Sequence, residues 1–184
     1  MIKDKHLKLI IDRSKNICRG YRIYEFSPSL LRMFYKNYEK LTLQRWVRFF
    51  FELLKGYKVY YLEVNGFIVA YSVISRGGGR YSFADVDDIV VGPYFVLEAY
   101  RGNRYSEVLV AELLHYNSIE YKNAYDWVRK TNIPSLKCSD KVGLKVVGSA
   151  NIIGPFRKIV LCDHMNGEYL ILKEKREYIQ QLHL

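Results

Sequence analysis

The chain has 184 residues, a length typical of one domain, and its hydrophobic fraction of 49% excludes a disordered chain. Its net charge of +10 favours an anionic partner, and nucleic acid, an anionic membrane and a phosphate-rich cofactor all meet that condition. No segment approaches the roughly 20 apolar residues of a membrane span, and the three cysteines show no zinc-site or redox spacing. We therefore expect a cytoplasmic protein with no membrane span and no metal site.

The N-terminal part is predicted to form two strands, two helices and a hairpin. A hydroxyl and a proline in Ser27-Pro28-Ser29 favour the start of the first helix. Thr42 is expected to cap the second helix, and Gly56 to end it in a left-handed turn. Asn65-Gly66 between two β-rich runs predicts a tight hairpin. These elements cover residues 7–11 and 21–26 (strands), 30–54 (helices), and 57–64 and 67–75 (hairpin).

A triple glycine, Gly77-Gly78-Gly79, follows the hairpin and is flanked by Arg76 and Arg80. Glycines after a strand can cradle a phosphate, but the pattern of a phosphate-binding P-loop is missing. We therefore interpret this run as a flexible hairpin tip.

The C-terminal part is predicted to alternate strands and helices. Proline cannot donate to a strand ladder, so residues 86–97 are expected to form two strands that meet near Gly92-Pro93. Gly143 is expected to close the last helix. The further elements are helices at 106–121 and 134–142 and strands at 124–129, 145–153, 156–162 and 168–172. This order predicts one mixed α/β (α+β) domain over residues 1–184, built on one central sheet.

The stretch around Arg101-Gly102-Asn103-Arg104 carries the clearest chemical signal. An apolar strand runs into a polar turn with glycine, and a helix follows. A helix start offers unpaired backbone N–H groups and the positive end of a dipole, which stabilise an anion such as pyrophosphate. The two arginines add positive charge at the same place. The residues alone leave an ordinary strand–turn–helix with surface arginines as the alternative.

The same stretch resembles the acyl-CoA signature of the GNAT N-acetyltransferase superfamily, Gln/Arg-x-x-Gly-x-Gly/Ala after a strand written V-x-P-x-Tyr-Arg-Gly. The matching residues are Val96, Tyr100, Arg101 and Gly102. Residues 132–148, from Asn132 to Gly148, are similar to the family segment N-x-x-[AS]…G-[FL]-x-x-x-G. The resemblance covers residues 57–148.

The resemblance implies a mostly antiparallel central sheet with a splayed strand pair, flanked by helices, and acetyl-CoA as the acyl donor. It implies that the backbone of Tyr94, Phe95 and Val96 pairs with the pantetheine arm. The pyrophosphate would lie on the turn, and Asn132 would contact the cofactor from the next strand–helix turn. The turn residues assigned to the pyrophosphate are Arg101, Gly102, Asn103, Arg104, Tyr105, Ser106 and Glu107.

Three residues depart from the family pattern. Arg104 replaces a glycine, which we expect to be tolerated if its backbone φ is negative, and Ser106 replaces Gly/Ala and is expected to cap the helix. Ser139 stands where the family often has a tyrosine that protonates the leaving thiolate. Ser139 is thus a weaker candidate acid, since a serine hydroxyl is far less acidic than a phenol.

A carboxylate cluster, Asp85-x-Asp87-Asp88, precedes the strand that carries the motif. Closely spaced carboxylates suit a base or an amine-binding site, so Asp87 and Asp88 are candidate bases. Exposed turn carboxylates are the alternative interpretation.

The predicted function is transfer of an acetyl group from acetyl-CoA to a primary amine, most simply a small molecule, by direct attack. An amino sugar, a small amine and a protein N-terminus all remain open as acceptors, and a homodimer is compatible with the sequence. Two alternatives are retained: a GNAT-like domain that binds acyl-CoA with little catalysis, and a basic module that binds nucleic acid. The second has no recognised nucleic-acid motif in its favour.

Overall fold

Strands and helices alternate along the chain much as the sequence predicted. The computed structural model describes residues 6–15, 20–36, 42–117, 120–154 and 157–174. Within these ranges the strands are β1 Leu7–Asp12, β2 Arg22–Phe26, β3 Lys58–Val64, β4 Phe67–Arg76, β5 Ile89–Val96, β6 Ala124–Arg129, β7 Leu144–Ile153, β8 Lys158–Cys162 and β9 Tyr169–Glu174. The helices are α1 Leu43–Lys55, α2 Tyr105–Asn117 and α3 Ile133–Lys141. The strands follow the order β1-β2-β3-β4-β5-β6-β9-β7-β8 in a mixed, mostly antiparallel sheet, which confirms the predicted fold class.

The chain divides into two compact units. The first unit covers the described residues up to Ser75 together with Pro93–Leu109, and the second covers Arg76–Gly92 and the described residues from Val110 onward. Strand β5 contributes its first half to the second unit and its last half to the first. The expectation of a single domain stays a prediction.

The first unit is an antiparallel arrangement of β1 to β4 with an aromatic core. Phe34 packs edge-on against Phe49 of α1, with ring centroids 4.8 Å apart. Tyr57 lies in the same core, donates to the carbonyl of Met33 at 2.8 Å, and has its pKa raised by burial. The aromatic side chains of Phe34, Phe49 and Tyr57 therefore pack α1 onto the sheet of the first unit.

The boundaries of α1 follow the predicted signals. The Thr42 side chain accepts from the N–H of Arg45, and Gly56 ends the helix at φ 82°. The helix predicted before it, from Leu30, is wrong over residues 30–36, which form turns and a Ser29–Arg32 bridge. Tyr61 explains this outcome, because its hydroxyl accepts from the backbone N–H groups of Tyr35 and Lys36 and holds the segment in a non-helical path. Residues 37–41 lie outside the described residues.

The Asn65-Gly66 hairpin is confirmed. Both residues adopt positive φ, 51° and 84°, and they join β3 to β4 in antiparallel register.

The second unit contains the parallel strand pair. The first half of β5 pairs with β6 at Ile89–Ala124 and Val90–Tyr125, a register of two positions. Such a short register is what a splayed strand pair requires. Beyond β6 the unit is antiparallel, through β9 and β7 to β8.

Two predicted boundaries in this region are wrong. The stretch 86–97 contains one strand rather than two, Ile89–Val96, because Gly92 adopts φ 101° within β5 without ending it. Residues 86–88 lie in the preceding loop, and Leu97 follows the strand. The helix predicted to Tyr121 is described to Asn117, and Glu120 and Tyr121 are not helical. The Asn117 side chain donates to the Leu113 carbonyl at 2.8 Å, a local bond that occupies an acceptor at the helix end. Residues 118–119 and Phe156 lie outside the described residues.

None of the helices in the described ranges combines the length and the apolar character needed to cross a bilayer.

Candidate active site

The turn between β5 and α2 is built on two left-handed residues. After β5, Glu98–Tyr100 forms a short 3-10 turn. Gly102 and Arg104 then adopt φ 79° and 61°, and α2 begins at Tyr105. The expectation of a negative φ at Arg104 is therefore wrong. The backbone at Arg104 keeps a conformation that suits glycine, so this arginine has a strained backbone.

The start of α2 presents backbone donors. The first α-helical bond runs from the N–H of Val108 to the carbonyl of Arg104 at 3.0 Å, so the N–H groups of Tyr105 and Ser106 have no acceptor within the helix. Ser106 is the second residue of α2 and not its N-cap, which corrects the prediction for this residue. These helix-start amides and the helix dipole make the start of α2 suited to an anion.

The two arginines of the turn have different partners. Arg101 lies over the Phe95 ring, 5.8 Å from its centroid, and its Nε donates to the Val96 carbonyl over a long 3.4 Å. Arg104 pairs through Nε with the carboxylate of Glu107 and stays exposed. The Arg101 guanidinium is thus held against the end of β5 and that of Arg104 against the first turn of α2, each by weak or solvent-exposed contacts.

The rest of the turn is held by the backbone and by Asn103. The Asn103 amide donates to the Tyr100 carbonyl at 3.2 Å, which fixes the reversal. A Cβ added to Gly102 would meet no atom within 4 Å, so the space beside this residue is open.

The last half of β5 leads directly into this turn. Tyr94, Phe95 and Val96 are half-buried, and the N–H of Leu97 donates to the carbonyl of Val69 on β4 at 2.9 Å. The Phe95 ring stacks on the buried Tyr71, with centroids 6.0 Å apart. The first unit therefore carries the predicted cofactor residues from Tyr94 to Glu107 on one continuous segment.

Ser139 lies buried in the second unit. Its hydroxyl donates to Oδ2 of Asp126 at 2.7 Å, with the carbonyl of Ser135 as a further acceptor at 3.0 Å. Asp126 is also buried, and its Oδ1 accepts from the N–H of Trp127 at 2.7 Å. The hydroxyl proton of Ser139 is thus engaged in joining α3 to β6.

Asn132 caps α3. Its side-chain oxygen accepts from the N–H of Ser135 at 3.4 Å, and the residue is exposed. Its predicted contact with the cofactor stays a prediction.

The carboxylate cluster separates into one buried and two exposed groups. Asp88 is 1% exposed and accepts from the N–H of Asp85 and from the Asn123 amide, both at 2.8 Å. Asp85 and Asp87 are exposed, and the carbonyl of Asp87 accepts from the N–H of Lys122. Asp88 therefore holds a loop together, whereas the Asp87 carboxylate stays a candidate base.

Sequence reasoning did not single out Asp126. Its position within the apolar strand Ala124–Arg129 could have indicated a buried, hydrogen-bonded carboxylate, because a carboxylate in a buried strand requires hydrogen-bond donors. Nothing in the sequence identified Ser139 as its donor, since the two residues meet through the packing of α3.

The left-handed backbone at Arg104 generates a stability prediction. Replacing Arg104 by glycine removes the strain of a side chain at φ 61°, and we expect the free energy of unfolding to rise by about 0.5–1 kcal/mol in urea titrations. Arg101→Gly is the matched control, because Arg101 has φ −64° and gains no relief from glycine. An Arg104→Gly protein no more stable than the Arg101→Gly protein would contradict the interpretation.

Comparison with known proteins shows the fold. No protein-family model matches the sequence, and no curated protein matches it. An uncharacterized protein from Bacillus halodurans aligns over 97% of this chain and 95% of its own, with a TM-score of 0.61 and 12% identity. The aminoglycoside acetyltransferase AAC(6')-Ib in complex with coenzyme A aligns over 70% of this chain and 71% of its own, with a TM-score of 0.52 and 15% identity.

A second structure of AAC(6')-Ib, with ribostamycin and coenzyme A, gives the same TM-score and identity over 70% of this chain and 69% of its own. At sequence identities this low, the structural similarity shows a shared fold and does not show a shared activity. Together with the strand order and the parallel β5–β6 pair, they show that the chain has the fold of the GNAT acetyltransferases.

Proposed function

We propose that this protein is an N-acyltransferase that transfers an acetyl group from acetyl-CoA to a primary amine. The observation that carries the proposal is the turn between β5 and α2, where Gly102 and Arg104 adopt left-handed backbone and the amides of Tyr105 and Ser106 begin a helix. Its fold is shared with acetyltransferases solved with coenzyme A, which supports the same assignment.

The residues of the turn fit a pyrophosphate. Helix-start amides and two guanidinium groups supply donors and positive charge. The open space beside Gly102 leaves the backbone accessible to a bulky anion. Arg101 can exchange its 3.4 Å bond to the Val96 carbonyl for a phosphate oxygen, because a bond of that length contributes little. We assign the pantetheine arm to the backbone of Tyr94, Phe95 and Val96.

The thioester supplies the activated acetyl group. The amine nitrogen attacks the thioester carbonyl, so that an amide C–N bond forms and the C–S bond breaks. The attacking amine must be neutral, and its proton passes to a base or to water, with Asp87 as the candidate carboxylate. The leaving thiolate takes up a proton and departs as coenzyme A. An amino sugar, a small amine or a protein N-terminus can each serve as the acceptor.

Ser139 enters this proposal as a residue that positions α3. Its hydroxyl proton is directed at the Asp126 carboxylate, so donating that proton to a thiolate would remove one of the donors on which this buried carboxylate depends. This observation favours the second candidate function, a GNAT-like domain that binds acyl-CoA and turns it over slowly. A panel of primary amines, assayed for release of free coenzyme A, separates the two functions.

The proposed cofactor site predicts a change in the affinity for acetyl-CoA when the turn is altered. Arg101→Glu places a negative charge beside the helix start, and Gly102→Trp fills the open space next to the backbone. We expect each variant to bind acetyl-CoA at least about tenfold more weakly in calorimetry, a loss of about 1.4 kcal/mol.

Lys15→Glu is the control for that titration, because it makes the same charge change at an exposed position of the first unit. It should retain nearly all of the affinity. Unchanged affinity in both turn variants would remove the turn from the binding site, and no binding of acetyl-CoA by the unaltered protein would refute the proposed function.

The buried hydrogen bond of Ser139 generates a further prediction. Ser139→Ala removes a buried donor from Asp126, so we expect the free energy of unfolding to fall by about 1–3 kcal/mol. Asp126→Asn should show a smaller effect in the Ser139→Ala background than alone, because the two residues share one hydrogen bond. If Ser139 instead protonates the thiolate, Ser139→Ala will lower kcat strongly and change its pH profile while its stability stays nearly unchanged.

A further inference from the structure

The segment between β4 and β5, residues 77–88, is a densely bonded loop and not a flexible tip. The N–H of Gly77 donates to the carbonyl of Asp88 at 2.9 Å, and the N–H of Gly78 donates to that of Ala84 at 2.7 Å. The buried Asp88 carboxylate closes the loop from inside by accepting from the N–H of Asp85. The interpretation of the triple glycine as a flexible tip is therefore corrected.

The glycines are required by close packing. A Cβ added to Gly77 would lie 2.1 Å from the carbonyl oxygen of Asp85. Gly78 and Gly79 adopt φ 73° and 58°, which favours residues without a side chain. The compact path of this loop therefore requires glycine at these positions, and Arg80 follows directly after them.

The backbone of Arg80 is anchored on β8. Its carbonyl accepts from the N–H of Ile159 at 2.7 Å. Two residues later, the N–H and the hydroxyl of Ser82 donate to the carbonyl of Ile159 at 3.2 and 2.7 Å. Arg80 and Ser82 are thus both bonded to Ile159, and these bonds hold the backbone of Arg80 in place.

Among the residues that the structure describes, none forms an ion pair with the side chain of Arg80. Its guanidinium lies over the rings of Tyr81 and Trp127, at 5.2 and 5.5 Å from their centroids. Nε and Nη2 are buried and make no hydrogen bond in the described part of the chain. A desolvated cation with unused donors is costly to a folded protein, so the loop fixes a group that is unfavourable without a ligand.

The unused donors define the ligand chemistry. Nε and Nη2 carry parallel N–H bonds along one edge of the guanidinium, the edge that takes both oxygens of a carboxylate. Arg80 brings one positive charge, which matches a carboxylate better than a phosphate of nearly two negative charges. The rings of Tyr81 and Trp127 suit an apolar body attached to the carboxylate.

We propose that Arg80, Tyr81 and Trp127 form a binding site for a carboxylate carried on an apolar group. The bound carboxylate supplies the two acceptors that Nε and Nη2 lack. Arg80 as a whole is half-buried while this edge is closed to water, so binding opens the edge by side-chain movement. The site lies within the second unit and stands whether or not the protein transfers an acetyl group.

Benzoate is the probe, with benzamide as its uncharged counterpart and inorganic phosphate as the competing oxyanion. The sequence has two tryptophans, so Trp46→Phe leaves Trp127 as the only indole reporter. We expect benzoate to change Trp127 emission in a saturable way and to raise the melting temperature, while benzamide does neither. Arg80→Met should abolish both effects, and Arg80→Lys should weaken binding at least about tenfold, because lysine keeps the charge but lacks the planar fork.

Arg129→Met is the matched control. Arg129 also lies over an aromatic ring of this unit, that of Tyr169, but it is paired with Glu168, and its loss should leave the benzoate response intact. Circular dichroism checks that each variant is folded, and Arg80→Lys decides the matter if Arg80→Met does not fold. No response to benzoate, an equal response to benzamide, a stronger response to phosphate, or a response that survives Arg80→Lys unchanged would each overturn the proposal.

Discussion

The reversal from β5 into α2 is the constraint on which the proposed chemistry depends. The chain leaves a half-buried strand and enters a helix within a few residues, and two left-handed residues, Gly102 and Arg104, make this reversal possible. Glycine accepts that conformation freely, but arginine does so at a cost. Strained backbone persists where the surrounding structure enforces it, often at functional positions. Here the strained residue is Arg104, whose guanidinium pairs with Glu107 in the first turn of α2.

Two buried carboxylates of the second unit, Asp88 and Asp126, have a similar role. Asp88 accepts from the loop backbone and from Asn123, and Asp126 accepts from Trp127 and Ser139. Each carboxylate is satisfied by donors from separate parts of the chain and so fixes their relative positions. Asp88, a candidate base in the sequence, therefore has a structural role, because its carboxylate closes the loop that carries Arg80.

Short sequence motifs predicted much of the fold, because several helix ends and turns are determined by the residues that form them. The Thr42 cap, the Gly56 stop and the Asn65-Gly66 hairpin each rest on backbone preferences of the residues themselves. The helix predicted from Leu30 was wrong because the Tyr61 hydroxyl, distant in sequence, captures the local N–H groups.

The site was predictable in outline and not in detail. The glycine and arginines of the turn indicated the segment that we propose binds an anion, but the sign of φ at Arg104 and the first residue of α2 depend on how the turn closes. The partners of Ser139 and Arg80 come from tertiary packing, so no spacing in the sequence could reveal that the Ser139 hydroxyl bonds to Asp126 or that Nε and Nη2 of Arg80 make no hydrogen bond within the described residues.

The central claim is that the helix-start amides of this turn bind the pyrophosphate of acetyl-CoA. Backbone amide chemical shifts, followed by NMR during a titration with acetyl-CoA, measure this directly. The account predicts that the signals of Gly102, Tyr105 and Ser106 change most, together with those of Tyr94 to Val96. Saturable binding of acetyl-CoA that leaves the signals of the turn unchanged would contradict it.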